Sequence, residues 1–148
     1  MRIAWKYGRS LWDENLKGGW NMELLDSGVN KKSFKGVDVY DYTKENYMTV
    51  MRFDKWRVAY LNYGDGTVEK NFHRIERHMQ TDEVFVLLEG EATLIVGEDL
   101  SRIEMEPHKV YNVRKGVWHH IFTKEGARVL IVENEDTCPD NSEYRLIK

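Results

Sequence analysis

The chain has 148 residues, with 22 Lys and Arg against 25 Asp and Glu and a formal net charge of -3. That is enough for one domain with a real hydrophobic core, and the near-balance of charge argues against a nucleic-acid or anionic-membrane partner, which calls for a strong field. Cys138 is the one cysteine, so no internal disulfide is expected, and a reducing, cytoplasmic setting fits. The opening residues Met1-Arg2-Ile3-Ala4-Trp5-Lys6-Tyr7 lack the apolar run of a signal peptide, and no stretch reaches the length of a membrane span.

Residues 1–35 have the least regular texture. Gly18-Gly19 and Ser27-Gly28 mark turns. Ser10 to Leu16 has room for a helical turn or two, with Ser10 as N-cap. This stretch is expected to be an arm or packing lid, anchored by Trp5, Tyr7, Trp12 and Trp20 to the rest of the chain or to a second subunit. From residue 36 to 148 the chain reads as one β domain. Val37 to Tyr42 alternates apolar and acidic residues, the period of a half-buried strand. Met48–Phe53 and Trp56–Tyr63 follow, joined by an Asp54-Lys55 turn. Tyr63-Gly64-Asp65-Gly66-Thr67 is a strong turn signal.

Phe72–His78 is the next expected strand. Val84–Leu88 and Ala92–Val96 read as a tight hairpin about Glu89-Gly90-Glu91. Ser101–Met105, Lys109–Val113, Val117–Thr123 and Arg128–Glu133 continue the series, and Tyr144–Ile147 reads as a last edge strand. Some nine short strands with regular turns and almost no helix-period segment predict an all-β sandwich or barrel.

Chemistry-bearing residues gather in two places. In an extended strand, residues two apart share a face, so Glu76 and His78 point together and Arg77 points away. Glu83 opens the next strand on the face of Phe85 and Leu87. His119 follows a glycine turn and shares a face with Val117 and Ile121. Two imidazoles with one or two carboxylates form a usual ligand set for Fe, Mn, Ni, Co or Zn. The same groups also serve as a polar lumen in which they hydrogen-bond only each other or water. Glu76 has three readings: a ligand, a general base, or half of a salt bridge. His120, on the opposite face from His119, reads as structural, His73 as a rim residue and His108 as a turn residue. Trp118 reads as core or interface, and Tyr60 as a candidate lumen hydrogen-bond donor. No phosphate-binding glycine loop, G-x-S-x-G elbow or H-E-x-x-H occurs.

Residues 76–90 resemble the first motif of the cupin superfamily, and residues 114–119 resemble the second. The first runs H-x-H, three or four residues, E, six residues, G. Here Glu76 stands at the first His, His78 at the second, four residues lead to Glu83 and six more to Gly90. The second runs P-x-G-x-x-H, matched by Gly116 and His119, with Arg114 at the proline. The other departures are Lys70 and His108 at the opening glycines of the two motifs and Thr123 at the closing asparagine of the second. The resemblance covers about residues 55–134. It implies a double-stranded β-helix, or jelly-roll, barrel with ligands pointing into its lumen, and a homodimer. It further implies a divalent metal (Fe, Mn, Zn or Ni) held by Glu76, His78, Glu83 and His119, with Glu76 as fourth ligand or catalytic base. The expected partner is a small polar molecule such as a sugar or keto acid. An isomerase, a lyase, a dioxygenase and a metal-free binding module are all compatible with such a site.

Overall fold

The structure, a computed structural model, describes residues 21–24 and 28–147, with side chains from residue 28 onward. The helical turn expected over residues 10–16 and the four N-terminal aromatic anchors lie outside the described residues. Thirteen strands are described. They are β1 (Asn21–Leu24), β2 (Asn30–Phe34), β3 (Val37–Asp41), β4 (Asn46–Phe53), β5 (Trp56–Asn62), β6 (Arg74–His78) and β7 (Glu83–Glu89). After them come β8 (Ala92–Val96), β9 (Ser101–Glu104), β10 (Val110–Val113), β11 (His119–Thr123), β12 (Arg128–Asn134) and β13 (Ser142–Leu146).

Two five-stranded antiparallel sheets carry the architecture, in the orders β10-β7-β12-β5-β4 and β13-β6-β11-β8-β9. From β5 to β13 every connection except β8–β9 passes from one sheet to the other. That alternation is jelly-roll winding, and the protein is an all-β jelly-roll barrel. Alternation along each strand sends one set of side chains between the sheets. Ala59, Leu61, Phe85, Leu87, Val129 and Ile131 come from the first sheet, and Ala92, Leu94 and Ile121 from the second. Leu87 and Val129 are wholly buried, and each such side chain contributes about 1.5–3 kcal/mol of transfer free energy.

Four expectations about elements are corrected. Glu89-Gly90-Glu91 does not close a hairpin, because β7 pairs with β10 and β12 while β8 pairs with β9 and β11. It is a corner between sheets. Gly90 has φ +75, and a Cβ there would lie 2.6 Å from Ala127 Cα, so the corner is packed directly on the β11–β12 turn. A glycine turn in sequence carries no information on whether its strands pair. The strand expected from Phe72 begins at Arg74, after two short 3-10 turns at Asp65–Thr67 and Glu69–Asn71. Asn21–Leu24 and Asn30–Phe34, expected to be irregular, are strands in a sheet of order β1-β2-β3. Tyr60 does not face the lumen. It packs with Tyr42, Val50 and Val29 in a second apolar cluster, with the Arg128 guanidinium 4.9 Å from its ring centre.

That second cluster joins the N-terminal hairpin to the outer face of β4 and β5. The Arg128–Asp41 ion pair at 2.9 Å and the bonds from Asn62 Nδ2 to the carbonyls of Tyr42 and Lys44 fasten it. Among the described residues no helix is long and apolar enough to cross a membrane.

Candidate metal centre

The site is built from both sheets. In the second sheet β6 and β11 are neighbours, and His119 lies opposite Glu76. Glu76 and His78, two apart on β6, point to the same side, as the strand period requires. Arg77 points outward, pairing with Glu143 at 2.5 Å and lying over the Trp118 ring. In the first sheet Glu83 is the inward first residue of β7. Its neighbour β12 is in register with it through Val132 and Val84, so Glu133 lies one step beyond that pair on the same face as Ile131 and Val129.

The two motif segments are locked to each other by backbone contacts. The Gly116 N–H donates to the His78 carbonyl at 2.7 Å. Asp82, between His78 and Glu83, accepts from the Lys115 N–H and from Asn112 Nδ2, both at 2.9 Å. Gly116 takes φ +78 in this turn, a conformation glycine adopts without steric cost. These contacts hold β11 so that His119 enters the lumen beside His78.

The side chains converge closely. His78 Nε2 lies 3.1 Å and His119 Nε2 2.9 Å from the same oxygen, Glu83 Oε2. The imidazole rings are 5.2 Å apart, centre to centre. Donor atoms of Glu76, His78 and His119 lie within 4.8 Å of one another, and so do those of His78, Glu83 and Glu133. Glu76 forms no ion pair with an arginine among the described residues, so its salt-bridge reading finds no partner. A cavity of about 510 Å³ opens over the cluster, bordered by all five of these side chains and by Tyr47 and Arg57.

Hydrogen bonding fixes one tautomer. The Val117 carbonyl, 3.0 Å from His119 Nδ1, can only accept, so Nδ1 carries a proton. In the neutral ring Nε2 is then a bare lone pair, aimed at a carboxylate. The contact is satisfied by a proton between the two atoms or by a metal ion that both ligate. His78 Nδ1 faces the Ser142 hydroxyl at 2.8 Å, which can donate or accept. The donor set fits a divalent ion. Metal–ligand bonds of about 2.1 Å at right angles place neighbouring ligand atoms about 3 Å apart, close to the two nitrogen–oxygen separations.

The electrostatics divide the carboxylates. Burial by itself raises the Glu83 carboxyl, but the hydrogen bonds and charges of His119 and His78 outweigh it and hold the group down to about 2. Burial lowers the His119 imidazole, but the Glu83 hydrogen bond and charge, with the Val117 bond and the Glu76 charge, together outweigh it and raise the group above the ordinary histidine value. Glu76 is pushed up by burial and by the Glu83 charge, against the pull of His119 and His78. Glu83 is thus a fixed anion, and Glu76 is the carboxyl that holds a proton more readily.

Glu133 went unweighed in the sequence. It is buried, accepts the Tyr47 hydroxyl at 2.6 Å and pairs with Arg57 at 3.0 Å. The available signal was a carboxylate continuing the inward alternation of Val129 and Ile131. His120 lies on the opposite face from His119, stacked on Phe72 with ring centres 5.0 Å apart and edge-on to Phe122. Burial and the His119 charge hold it down to about 4, so it is neutral at pH 7. His73 is exposed and bonds the Asn71 carbonyl, and Cys138 is exposed.

No protein-family model and no curated protein matches the chain. Solved structures do. Pac13, a nucleoside dehydratase of Streptomyces, matches with a TM-score of 0.56 at 8% identity, over 88% of this chain and 95% of that one. A Pac13 variant with uridine matches with the same TM-score at 9% identity, over 88% and 94%. A cupin-2 domain protein from Shewanella frigidimarina NCIMB 400 matches at 18% identity over 64% and 85%, with a TM-score of 0.49. The jelly-roll winding, the barrel likeness and the motif residues meeting in the lumen agree. The chain has the cupin fold. Its lumen departs from the superfamily pattern in having Glu76 where that pattern has histidine.

Proposed function

We propose that this cupin binds one divalent metal ion in its lumen through His78, Glu83 and His119, with Glu76 as fourth ligand or as catalytic acid or base. The ion and the cavity together take a small polar organic molecule, such as a sugar, a keto acid or another enolisable compound. The observation that carries the reading is the pair of imidazole nitrogens aimed at one Glu83 oxygen while the Val117 carbonyl occupies the other side of His119. When bound, the ion supplies Lewis-acid polarisation of a ligand oxygen, or oxygen chemistry if it is iron. Glu83 stays ionised throughout and orients both imidazoles. Glu76 exchanges a proton with the ligand, its carboxyl raised toward the working range of a general acid. An isomerase, a lyase and a dioxygenase are all compatible with these parts, and the fold likeness to a nucleoside dehydratase is compatible with an elimination. We further propose a homodimer working in the cytoplasm.

Metal content of untagged protein tests the reading. Close to one equivalent of Fe, Mn, Zn or Ni is expected, lost in His119→Ala, together with a metal-dependent rise in melting temperature that His78→Ala abolishes. Less than a tenth of an equivalent, unchanged by His119→Ala, sinks it. One observation favours a second reading, a metal-free small-molecule-binding cupin without catalysis. With His119 protonated, the cluster closes as a hydrogen-bonded chain about Glu83 that needs no ion. Ligand binding that persists undiminished in EDTA, with no turnover of a panel of sugars, keto acids and nucleosides, selects that reading.

A further inference from the structure

Glu133 has no counterpart in the two motifs. It sits on β12, six percent exposed, at the inward position after Val129 and Ile131. A carboxylate so enclosed needs partners. It has two, and both hold the same oxygen: the Tyr47 hydroxyl at 2.6 Å and Arg57 Nη2 at 3.0 Å from Oε1. One donor atom of the group lies within 4.8 Å of those of His78 and Glu83.

We propose that Glu133 is a further ligand of the lumen metal, through the oxygen that Tyr47 and Arg57 leave open, and that Arg57 balances the negative charge it adds. This rests on the metal-binding reading above. It deepens that reading, because Glu133 adds a second carboxylate to His78, Glu83 and His119, and a third where Glu76 also ligates. An oxygen-rich set of that size suits Mn²⁺ or Fe²⁺, which take five or six hard ligands, over four-coordinate Zn²⁺. The competing role for Glu133 is purely structural. Arg57 also donates to the carbonyls of Glu135 at 3.4 Å and Thr137 at 3.2 Å, so Glu133 would then only anchor the arginine that fastens the β12–β13 connection. A carboxylate that only anchors Arg57 acts on the ion through charge alone, so its loss weakens Mn²⁺ and Zn²⁺ alike, whereas loss of a ligand weakens Mn²⁺ more.

The experiment is calorimetric titration of metal-free protein with Mn²⁺ and, separately, Zn²⁺, for wild type, Glu133→Gln and Tyr47→Phe. Glutamine keeps an oxygen for Tyr47 but removes the charge, so Mn²⁺ binding is expected to weaken tenfold or more, and Zn²⁺ binding less. Tyr47→Phe removes one donor from the Glu133 carboxylate, which leaves more negative charge on its open oxygen, and is expected to tighten Mn²⁺ binding severalfold. Folded Glu133→Gln with both constants within twofold of wild type, or weakened alike, overturns the inference while leaving the metal centre standing. Should Glu133→Gln fail to fold, unchanged or weaker Mn²⁺ binding in Tyr47→Phe overturns it instead; where both fold, Glu133→Gln decides. Wild type that binds neither of these ions, nor Fe²⁺ or Ni²⁺ in the same titration, refutes the metal reading itself, and this inference with it.

Discussion

Replacing Glu83 by glutamine isolates the charge at the centre of the cluster. The Glu83 carboxyl is held at about 2 against an ordinary value of 4.5. Those 2.5 units, at about 1.4 kcal/mol each, amount to about 3 kcal/mol of native-state preference for the carboxylate. The folded-state value is depressed, so this stability is present above pH 4.5 and is lost as the pH falls toward 2. At pH 5.5 nearly all of it remains. By pH 3 the unfolded carboxyl is mostly protonated and the folded one mostly is not, and about 2 of the 3 kcal/mol has gone. Urea unfolding in EDTA, followed by tryptophan fluorescence at both pH values, reads the difference between wild type and Glu83→Gln. The wild-type advantage is expected to shrink by about 2 kcal/mol between pH 5.5 and pH 3, with the carboxylates remote from the cluster cancelling between the two proteins. A difference that stays constant within about half a kcal/mol means that the imidazoles do not hold Glu83 ionised, and the account of the site fails.

His119 gives the opposite limb. Its folded-state value is raised, so in metal-free protein its contribution is full below the ordinary 6.5 and is lost as the pH climbs through the folded value. Metal binding strengthens over the same climb because it needs neutral imidazoles. The melting-temperature gain from added Mn²⁺ should therefore grow from pH 6 to pH 8, and a gain that shrinks with pH contradicts the assignment of His119 as a ligand. In the core, Leu87→Ala should cost about 3 kcal/mol in denaturant unfolding, because Leu87 is wholly buried between the sheets. Val110→Ala, at a position 70% exposed, should stay within about 0.5 kcal/mol; comparable losses would place the core wrongly. Gly90→Ala adds a Cβ 2.6 Å from Ala127 Cα on top of a positive φ, whereas Gly116→Ala meets nothing within 4 Å at a similar φ. The first should destabilise by about 2 kcal/mol or more and the second by about 1 kcal/mol, and equal losses would show that the Gly90 corner is not closely packed.

The barrel was legible because its strands obey period two and its turns carry glycine. Glu83, Phe85 and Leu87 face inward as the alternation required, and so do His119 and Ile121. What local pattern does not encode is which strands pair. The stretch Glu89-Gly90-Glu91 looks like a hairpin tip, and the chain instead turns a corner there because the β11–β12 turn packs against it. The facing of an isolated strand is equally hidden. Tyr60 alternates with Ala59 and Leu61, and the aromatic residue looked like the lumen group. The small alanine and the leucine are the inward ones, since β5 lies beside β12 and packs its even positions under the N-terminal hairpin.

The site divides along the same line. His78, Glu83, Gly90, Gly116 and His119 sit at motif spacing, and those intervals are set by the length of one strand and the turn before it. Glu133 and Arg57 have no such spacing. They belong together only because β5 and β12, seventy-odd residues apart in the chain, pair so that Arg57 faces Glu133. Tyr47 joins them from β4, the strand on the far side of β5. An ion pair of this kind has a physical reason to be there. Three carboxylates and two imidazoles border one lumen, and enclosed negative charge is costly unless it is balanced. Arg57 is the cation placed to relieve it. Glu76, which stands where the motif has histidine, adds one of those carboxylates from the other sheet, and the charges that act on it are those of His119, Glu83, His78 and Arg74, whereas Arg57 answers Glu133.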